Sequence, residues 1–184
     1  MRLFIAIELP ESLKQEIGTV REQLRKSGAD ANWTRPEGIH LTLKFLGEVE
    51  ESLVPLIKGS LAAACRGIGK FRIEIAGAGA FPNLKAPRVL WLGVQGDVEK
   101  LGALQASVED GMADLGFERE ERKFSPHLTL GRVKFPRPRD NWQDRISEIR
   151  DVQLGGFEAG HVSLMKSELR RDGAVYTEMA RIEI

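Results

Sequence analysis

Leu3, Ile5 and Ile7 alternate with Phe4, Ala6 and Glu8 at the start of the chain, and this period of two predicts a strand. Pro10-Glu11-Ser12 then opens a charged stretch of helical periodicity to about Lys26, an amphipathic helix. The order recurs: Ile39 to Leu46 is rich in strand formers and stops at Gly47, and Glu51 to Arg66 carries Leu53, Leu56, Ile57, Leu61 and Ala64 at helical spacing. Phe71 to Ile75 and Val89 to Val94 read as strands around a loop rich in Gly, Ala and Pro. Asp97 to Leu115 reads as a helix with Asp97 as N-cap and Gly116 as its stop. Beyond Pro136-Arg137-Pro138-Arg139, Trp142 to Ile149 is a short helix. Val162 to Leu169 and Ala174 to Ile184 form a closing hairpin around Arg171-Asp172-Gly173.

Strands and helices interleave throughout, with no linker or low-complexity tract. Gly77-Ala78-Gly79-Ala80 lacks the later signature positions of a dinucleotide turn or phosphate-binding loop. The expectation is an α+β fold, a single domain over 1–184 made of two pseudo-symmetric lobes whose antiparallel sheets flank a central cleft.

Two strand segments carry the chemistry. His40-Leu41-Thr42-Leu43 recurs as His127-Leu128-Thr129-Leu130, 87 residues further on, and uses two of the chain's three histidines. In a strand, residues i and i+2 share a face, so His40 projects with Thr42, and His127 with Thr129, while the leucines enter the core. One such pair is ordinarily a solvated histidine beside a natural strand residue. Duplication near half the chain length points instead to a site fed by both lobes. One neutral and one charged imidazole can take a proton on one side of a reacting centre and deliver one on the other, which suits in-line phosphoryl displacement. The threonine hydroxyls can then hydrogen-bond the equatorial oxygens. Neither copy has a second His, Cys or carboxylate at ligand spacing, so no metal is expected, and no cofactor. Cysteine or serine triads find no partner pattern.

Composition narrows the setting. Lys+Arg and Asp+Glu are both 27, which removes any bulk-charge argument for indiscriminate binding to nucleic acid or membrane. Cys65, the sole cysteine, sits in an apolar helical stretch and reads as a small buried residue. The apolar opening is too short for a signal peptide and no stretch approaches a membrane span. A soluble, cytoplasmic monomer is expected.

Several blocks resemble the RNA 2′,3′-cyclic phosphodiesterases, historically called 2′-5′ RNA ligases, within the two-histidine phosphoesterase superfamily. They are Arg2 to Ile7, Trp33 with Arg35-Pro36-Glu37, His40 to Glu48, Arg88 to Gly93, Phe124 to Arg132, and Ser167-Glu168-Leu169 to Gly173 with Tyr176. The resemblance implies a metal-independent enzyme that opens a terminal 2′,3′-cyclic phosphate on RNA to a 2′-phosphate. It implies His40 as proton donor, His127 as proton acceptor, and Thr42 and Thr129 as phosphate ligands. The reverse reaction would join a 5′-hydroxyl in a 2′-5′ linkage without ATP. The implied partners are RNA ends, tRNA fragments among them, or small cyclic nucleotides.

Secondary candidates follow from strand alternation. Lys44 shares the His40 face and could meet substrate phosphate, although a solvated lysine is the simpler reading. Arg132 matches a basic residue near the phosphate in similar enzymes, yet alternation turns it away unless a bulge or strand end at Gly131 redirects it, and a surface ion pair is the equal alternative. Phe45 and Trp91 read as core, and Trp33 is open to core or base stacking. His161-Val162-Ser163 looks like a third copy but reads as an ordinary strand, and Arg132, Lys134, Arg137 and Arg139 are a solvated loop or an RNA guide. The competing class is a non-catalytic module that holds a nucleotide or RNA end in the same cleft.

Overall fold

The opening alternation becomes strand β1 (Arg2–Glu8), and the charged stretch becomes helix α1 (Glu11–Lys26), which buries Leu13, Ile17, Val20 and Leu24. The computed structural model describes residues 1–26, 30–170 and 173–184. The chain continues through β2 (Asn32–Trp33), β3 (His40–Glu48), α2 (Val54–Cys65), β4 (Phe71–Phe81), β5 (Val89–Gly96) and α3 (Val98–Asp114). It ends with β6 (His127–Arg132), α4 (Trp142–Glu148), β7 (Gln153–Ala159), β8 (His161–Arg170) and β9 (Gly173–Glu183). Among the described residues the strands make two antiparallel sheets, ordered β3-β1-β8-β9 and β2-β6-β5-β4-β7. This is the expected α+β arrangement, with one His-x-Thr strand in each sheet.

The helices back the sheets away from those strands' polar faces. α2 and α3 pack on each other, α2 against β9 and α3 against β3, while α1 lies on β7 and α4 on β4. Leu3, Ile5, Ile7, Leu41, Leu90, Leu92 and Leu128 are all buried in one continuous apolar core. Their alternation is the reason that the intervening residues face the other way.

Some elements differ from expectation. β4 runs on to Phe81 through the Gly- and Ala-rich stretch expected to be a loop, because a bulge between Ile75 and Ala78 keeps that stretch paired to β5. Asp97 stands at the N-cap of α3, but its carboxylate accepts from the Arg72 backbone N–H at 2.9 Å rather than capping the helix. Gly116 follows α3 at φ 88°, the expected stop. The hairpin pairs His161 with Glu183 through to Arg170 with Gly173, and the turn expected at Arg171-Asp172 lies outside the described residues.

The largest departure is shared by both His-x-Thr strands. Opposite β1, Ala6 pairs with Thr42 and Ile5 with Lys44, so Leu43 is the extra residue of a bulge. Opposite β5, Trp91 pairs with Thr129 and Leu90 with Gly131, so Leu130 is the extra residue. After each bulge the faces exchange. Leu43 and Lys44 are both buried and Phe45 emerges 62% exposed; Leu130 and Gly131 are buried and Arg132 emerges. Lys44 therefore does not share the His40 face and Phe45 is not core, which corrects both expectations. Arg132 does rejoin the His127 face.

Lys44 is only 5% exposed and donates to the Glu109 carboxylate on α3 and to the Glu118 carbonyl at 2.8 Å. Glu109 also accepts from the Glu120 N–H at 2.9 Å and from Gln105 Nε2 at 3.3 Å. Removing one partner of a buried, hydrogen-bonded pair strands the other charge. Lys44→Ala is expected to lower the unfolding free energy by about 3 kcal/mol in urea titration. A loss below about 1 kcal/mol would mean that the pair behaves like a surface ion pair.

Candidate active site

The two imidazoles are anchored alike and surrounded differently. His40 hydrogen-bonds the backbone of Gly38, and His127 places Nδ1 2.7 Å from the Ser125 carbonyl, so each ring is tied to the residue two positions earlier. With Ser125 accepting from Nδ1–H, the neutral His127 ring carries its lone pair on Nε2. Around His40 the chain builds an aromatic seat. Phe4 stacks on the ring with centroids 4.5 Å apart, and Tyr176 meets it edge-on at 5.1 Å. Against His127 lies Phe81, edge-on at 5.1 Å.

Burial makes the difference chemical. Desolvation pushes His40 down to about 4, opposed by the Gly38 backbone bond and reinforced by the Lys14 charge. The free site therefore holds His40 neutral at pH 7. Lys14 is itself held against Glu8 at 3.0 Å and against the Glu37 carbonyl at 3.2 Å, which fixes that cation near the site. Thr42 and Thr129 are half-buried on the histidine faces of their strands.

The sheets meet where these strands run. Among the described residues, β3 is the outermost strand of its sheet and β2 pairs only with Gly131 and Arg132 of β6, so β6 has no strand partner on that side along its His127-to-Thr129 segment. β3 and β6 lie against each other, and the Thr34 N–H donates to the Leu130 carbonyl at 2.9 Å. Tyr176 links the lobes. Burial raises its hydroxyl above the usual tyrosine range, and the charges of Arg132, from the opposite sheet, and Arg2 pull it back. The structure thus gathers His40, Tyr176 and Arg132 at one seam. A cavity of about 570 Å³ opens beside His40, walled by Tyr176, His161, Glu8, Glu37 and Glu178.

The remaining candidates sort by what they touch. His161 lines that cavity, but Ser163, its would-be threonine equivalent, is fully buried and donates to Glu178 at 2.7 Å, so the third copy presents no free hydroxyl. Trp33 packs on Trp142 with centroids 6.2 Å apart. Trp91 is half-buried on the His127 face against Phe81, not in the core. Arg137 is bound by Asp30 at 3.0 Å, whereas Arg132, Lys134 and Arg139 are exposed. Burial raises the Cys65 thiol to about 11, the opposite of a nucleophile's requirement. Among the described residues no three His, Cys, Asp or Glu side chains converge as a metal site.

Phe4, Phe81 and Tyr176 touch the imidazoles; the sequence gives no such role to any of them, although Tyr176 is among the residues that carry the resemblance. A signal existed for the first: Phe4 is an aromatic residue on the non-core side of the β1 alternation.

A repeated strand that lifts one imidazole and one hydroxyl from each of two sheets is the architecture of the two-histidine phosphoesterases. Within that class, the family model described as the 2′-5′ RNA ligase superfamily matches residues 9–171, and the chain belongs to that family. It is 40% identical over 179 residues to the RNA 2′,3′-cyclic phosphodiesterase of Methanothermobacter thermautotrophicus, covering 97% of this chain and 96% of that protein. The protein of the same description from Thermotoga maritima is 40% identical over 176 residues, covering 96% and 91%. Among solved structures, TT0787 of Thermus thermophilus superposes with a TM-score of 0.82 at 29% identity, covering 100% of this chain and 97% of that one. LigT of E. coli complexed with 3′-AMP gives 0.79 at 26% identity, covering 100% and 97%.

The His40 shift has a consequence for stability. A histidine whose folded pKa lies below its unfolded value leaves stability intact above the unfolded pKa and removes it as pH falls, because the unfolded chain binds the proton first. Between pH 6.5 and about 4 the His40-dependent loss is expected to reach about 3 kcal/mol. Chemical denaturation of wild type and His40→Asn across that range should diverge by this amount. Parallel curves would contradict the desolvated imidazole.

Proposed function

We propose that the chain, as one bilobal domain, hydrolyses the terminal 2′,3′-cyclic phosphate of RNA to a 2′-phosphate by paired-histidine acid/base catalysis without a metal. The observation that carries this reading is the pair of His-x-Thr strands with the same register, the same bulge and the same backbone tie on each imidazole. His127, with its lone pair on Nε2, takes the proton of the attacking water. His40 delivers a proton to the departing 3′ oxygen. Thr42 and Thr129 hydrogen-bond the equatorial oxygens as charge gathers there, and Arg132, carried to the same face by its bulge, compensates that charge. Lys44 has no part in this, being committed to Glu109. Run with a 5′-hydroxyl in place of water, the same steps form a 2′-5′ linkage without ATP. RNA with 2′,3′-cyclic phosphate ends is the favoured substrate, on the names of the relatives, ahead of small cyclic nucleotides.

A proton donor must be charged when it acts, and burial holds His40 neutral in the free site. The phosphate anion resolves this: a negative charge placed beside the ring opposes desolvation and raises the pKa in the complex. The rate against pH is therefore expected to be bell-shaped, with the alkaline limb of kcat at higher pH than that of kcat/KM, since the first reports the bound complex and the second the free enzyme. Coincident limbs, or a flat profile between about pH 5 and 8, would contradict the assignment.

The direct test uses an oligoribonucleotide ending in 2′,3′-cyclic phosphate, with EDTA present. Wild type is expected to yield the 2′-phosphate isomer, and His40→Ala and His127→Ala to lose at least about a hundredfold in rate. Retention of the oligonucleotide without turnover would favour a binding module. Activity restored only by one added metal would overturn the metal-free step.

A further inference from the structure

Beyond His127 the cleft face of the second sheet continues into a cavity that the hydrolytic reaction leaves unused. It measures about 500 Å³ and is lined by Gly79, Ala80, Leu84, the Trp91 ring and Gln143 of α4, with Asn83 and Lys85 at its rim. Strand register places its Trp91 and Gly79 wall on the catalytic face. Trp91 pairs with Thr129 on one side and with Gly79 on the other, and directly paired residues point the same way. The rings form a continuous path: Phe81 lies 5.1 Å from His127 and 5.3 Å from Trp91, centroid to centroid. Gly79 is required for this arrangement, because a Cβ at that position would overlap the Trp91 ring. The indole therefore lies over the sheet with glycine beneath it and the cavity beside it.

We propose that this cavity seats the nucleoside whose 5′-hydroxyl attacks the cyclic phosphate, making it the acceptor site for a 5′-hydroxyl RNA end. The inference rests on the acid/base reading above. In an in-line displacement with His40 at the departing 3′ oxygen, the terminal ribose lies on the His40 side and the nucleophile arrives on the His127 side. The cavity lies on that second side. Its walls fit a nucleobase: the indole next to small and aliphatic side chains makes an apolar wall that any base can pack against. Its rim fits the rest of the acceptor. Lys85 is exposed and can meet the phosphate that follows the first nucleoside. Asn83 Oδ1 accepts from the Lys85 and Ala86 N–H groups, both at 3.0 Å, which leaves its amide N–H donors for a base edge.

The step balances without a further reactant. The acceptor 5′-hydroxyl gives its proton to His127, its oxygen bonds phosphorus, the bond from phosphorus to the 3′ oxygen breaks, and His40 protonates that oxygen. The product is a 2′-5′ phosphodiester with a free 3′-hydroxyl. Water entering the same position gives the 2′-phosphate, so occupation of the cavity decides how the common site partitions between two nucleophiles.

The test measures that partition. Wild type, Trp91→Leu, Trp91→Phe and Ala80→Leu are incubated with an oligoribonucleotide 2′,3′-cyclic phosphate and excess 5′-hydroxyl oligoribonucleotide, and the ratio of 2′-5′-joined product to 2′-phosphate is read. A ratio is independent of the folded fraction, so partial misfolding of a variant does not blur it. Loss of the indole wall in Trp91→Leu, or filling of the cavity in Ala80→Leu, is expected to lower the ratio by about tenfold with hydrolysis retained, and Trp91→Phe to preserve most of it. Unchanged ratios in both Trp91→Leu and Ala80→Leu would overturn the acceptor site, as would hydrolysis by wild type with no joined product at any acceptor concentration. The absence of both products from wild type would instead overturn the catalytic reading, and the acceptor site with it.

Discussion

Strict alternation in a strand would carry a side chain five positions after a histidine into the core, and the bulge at the fourth residue of each His-Leu-Thr-Leu segment prevents that. One extra residue, Leu43 in the first sheet and Leu130 in the second, sends two successive side chains inward and returns the next to the cleft. His40, Thr42 and Phe45 consequently share one face, as do His127, Thr129 and Arg132. Without the second bulge the guanidinium would point to the Leu128 side, away from Tyr176, on which its charge now acts. The site's geometry depends on a feature of strand pairing rather than on any loop.

The second organising effect is the unequal burial of two chemically identical rings. Both are anchored to backbone two residues back, which sets orientation and tautomer. Among the described residues Phe4 and Tyr176 then enclose His40 while only Phe81 attends His127. Enclosure favours the neutral ring, so the proposed donor is charged by its substrate rather than beforehand. Proton delivery is in this way coupled to occupancy of the phosphate position, and an empty site carries no imidazolium at His40 at neutral pH.

Much of this was legible in the sequence because it is local. The tetrapeptide repeat, the alternation of β1 and the periodicities of α1, α2 and α3 each sit within one window of chain, and together they imply the α+β class and both His-x-Thr pairs. The bulges were not legible. They arise from the register of β3 against β1 and of β6 against β5, which no single segment encodes, and Lys44 and Phe45 were misplaced for that reason. Lys44's partner Glu109 lies 65 residues away. β7 carries Gly155-Gly156 where strand formers would be expected, and β2 has two residues, so neither stands out before its neighbours are known. Trp91 looked like core because Leu90 and Leu92 beside it are core; its own direction is set by pairing with Thr129 and Gly79.

The two bulges pose the same problem and the chain solves it in two ways. Each turns inward a residue that alternation would leave outside. In β3 this is Lys44, whose ammonium must be matched inside the protein, and Glu109 together with the Glu118 carbonyl does so by tying the strand to α3. In β6 it is Gly131, which needs no partner and lets Trp33 close over it, since a Cβ there would come within 3.1 Å of the indole. The outward residues differ in step: apolar Phe45 on the His40 side, cationic Arg132 on the His127 side. The repeat thus presents matched histidines and hydroxyls, while the two positions after each Leu-Thr-Leu differ and place a cation on the cleft face of β6 where β3 has Phe45. A phosphate between the strands would meet a positive charge on the side where the nucleophile is proposed to arrive, and an aromatic, dehydrated wall where the leaving oxygen needs a proton.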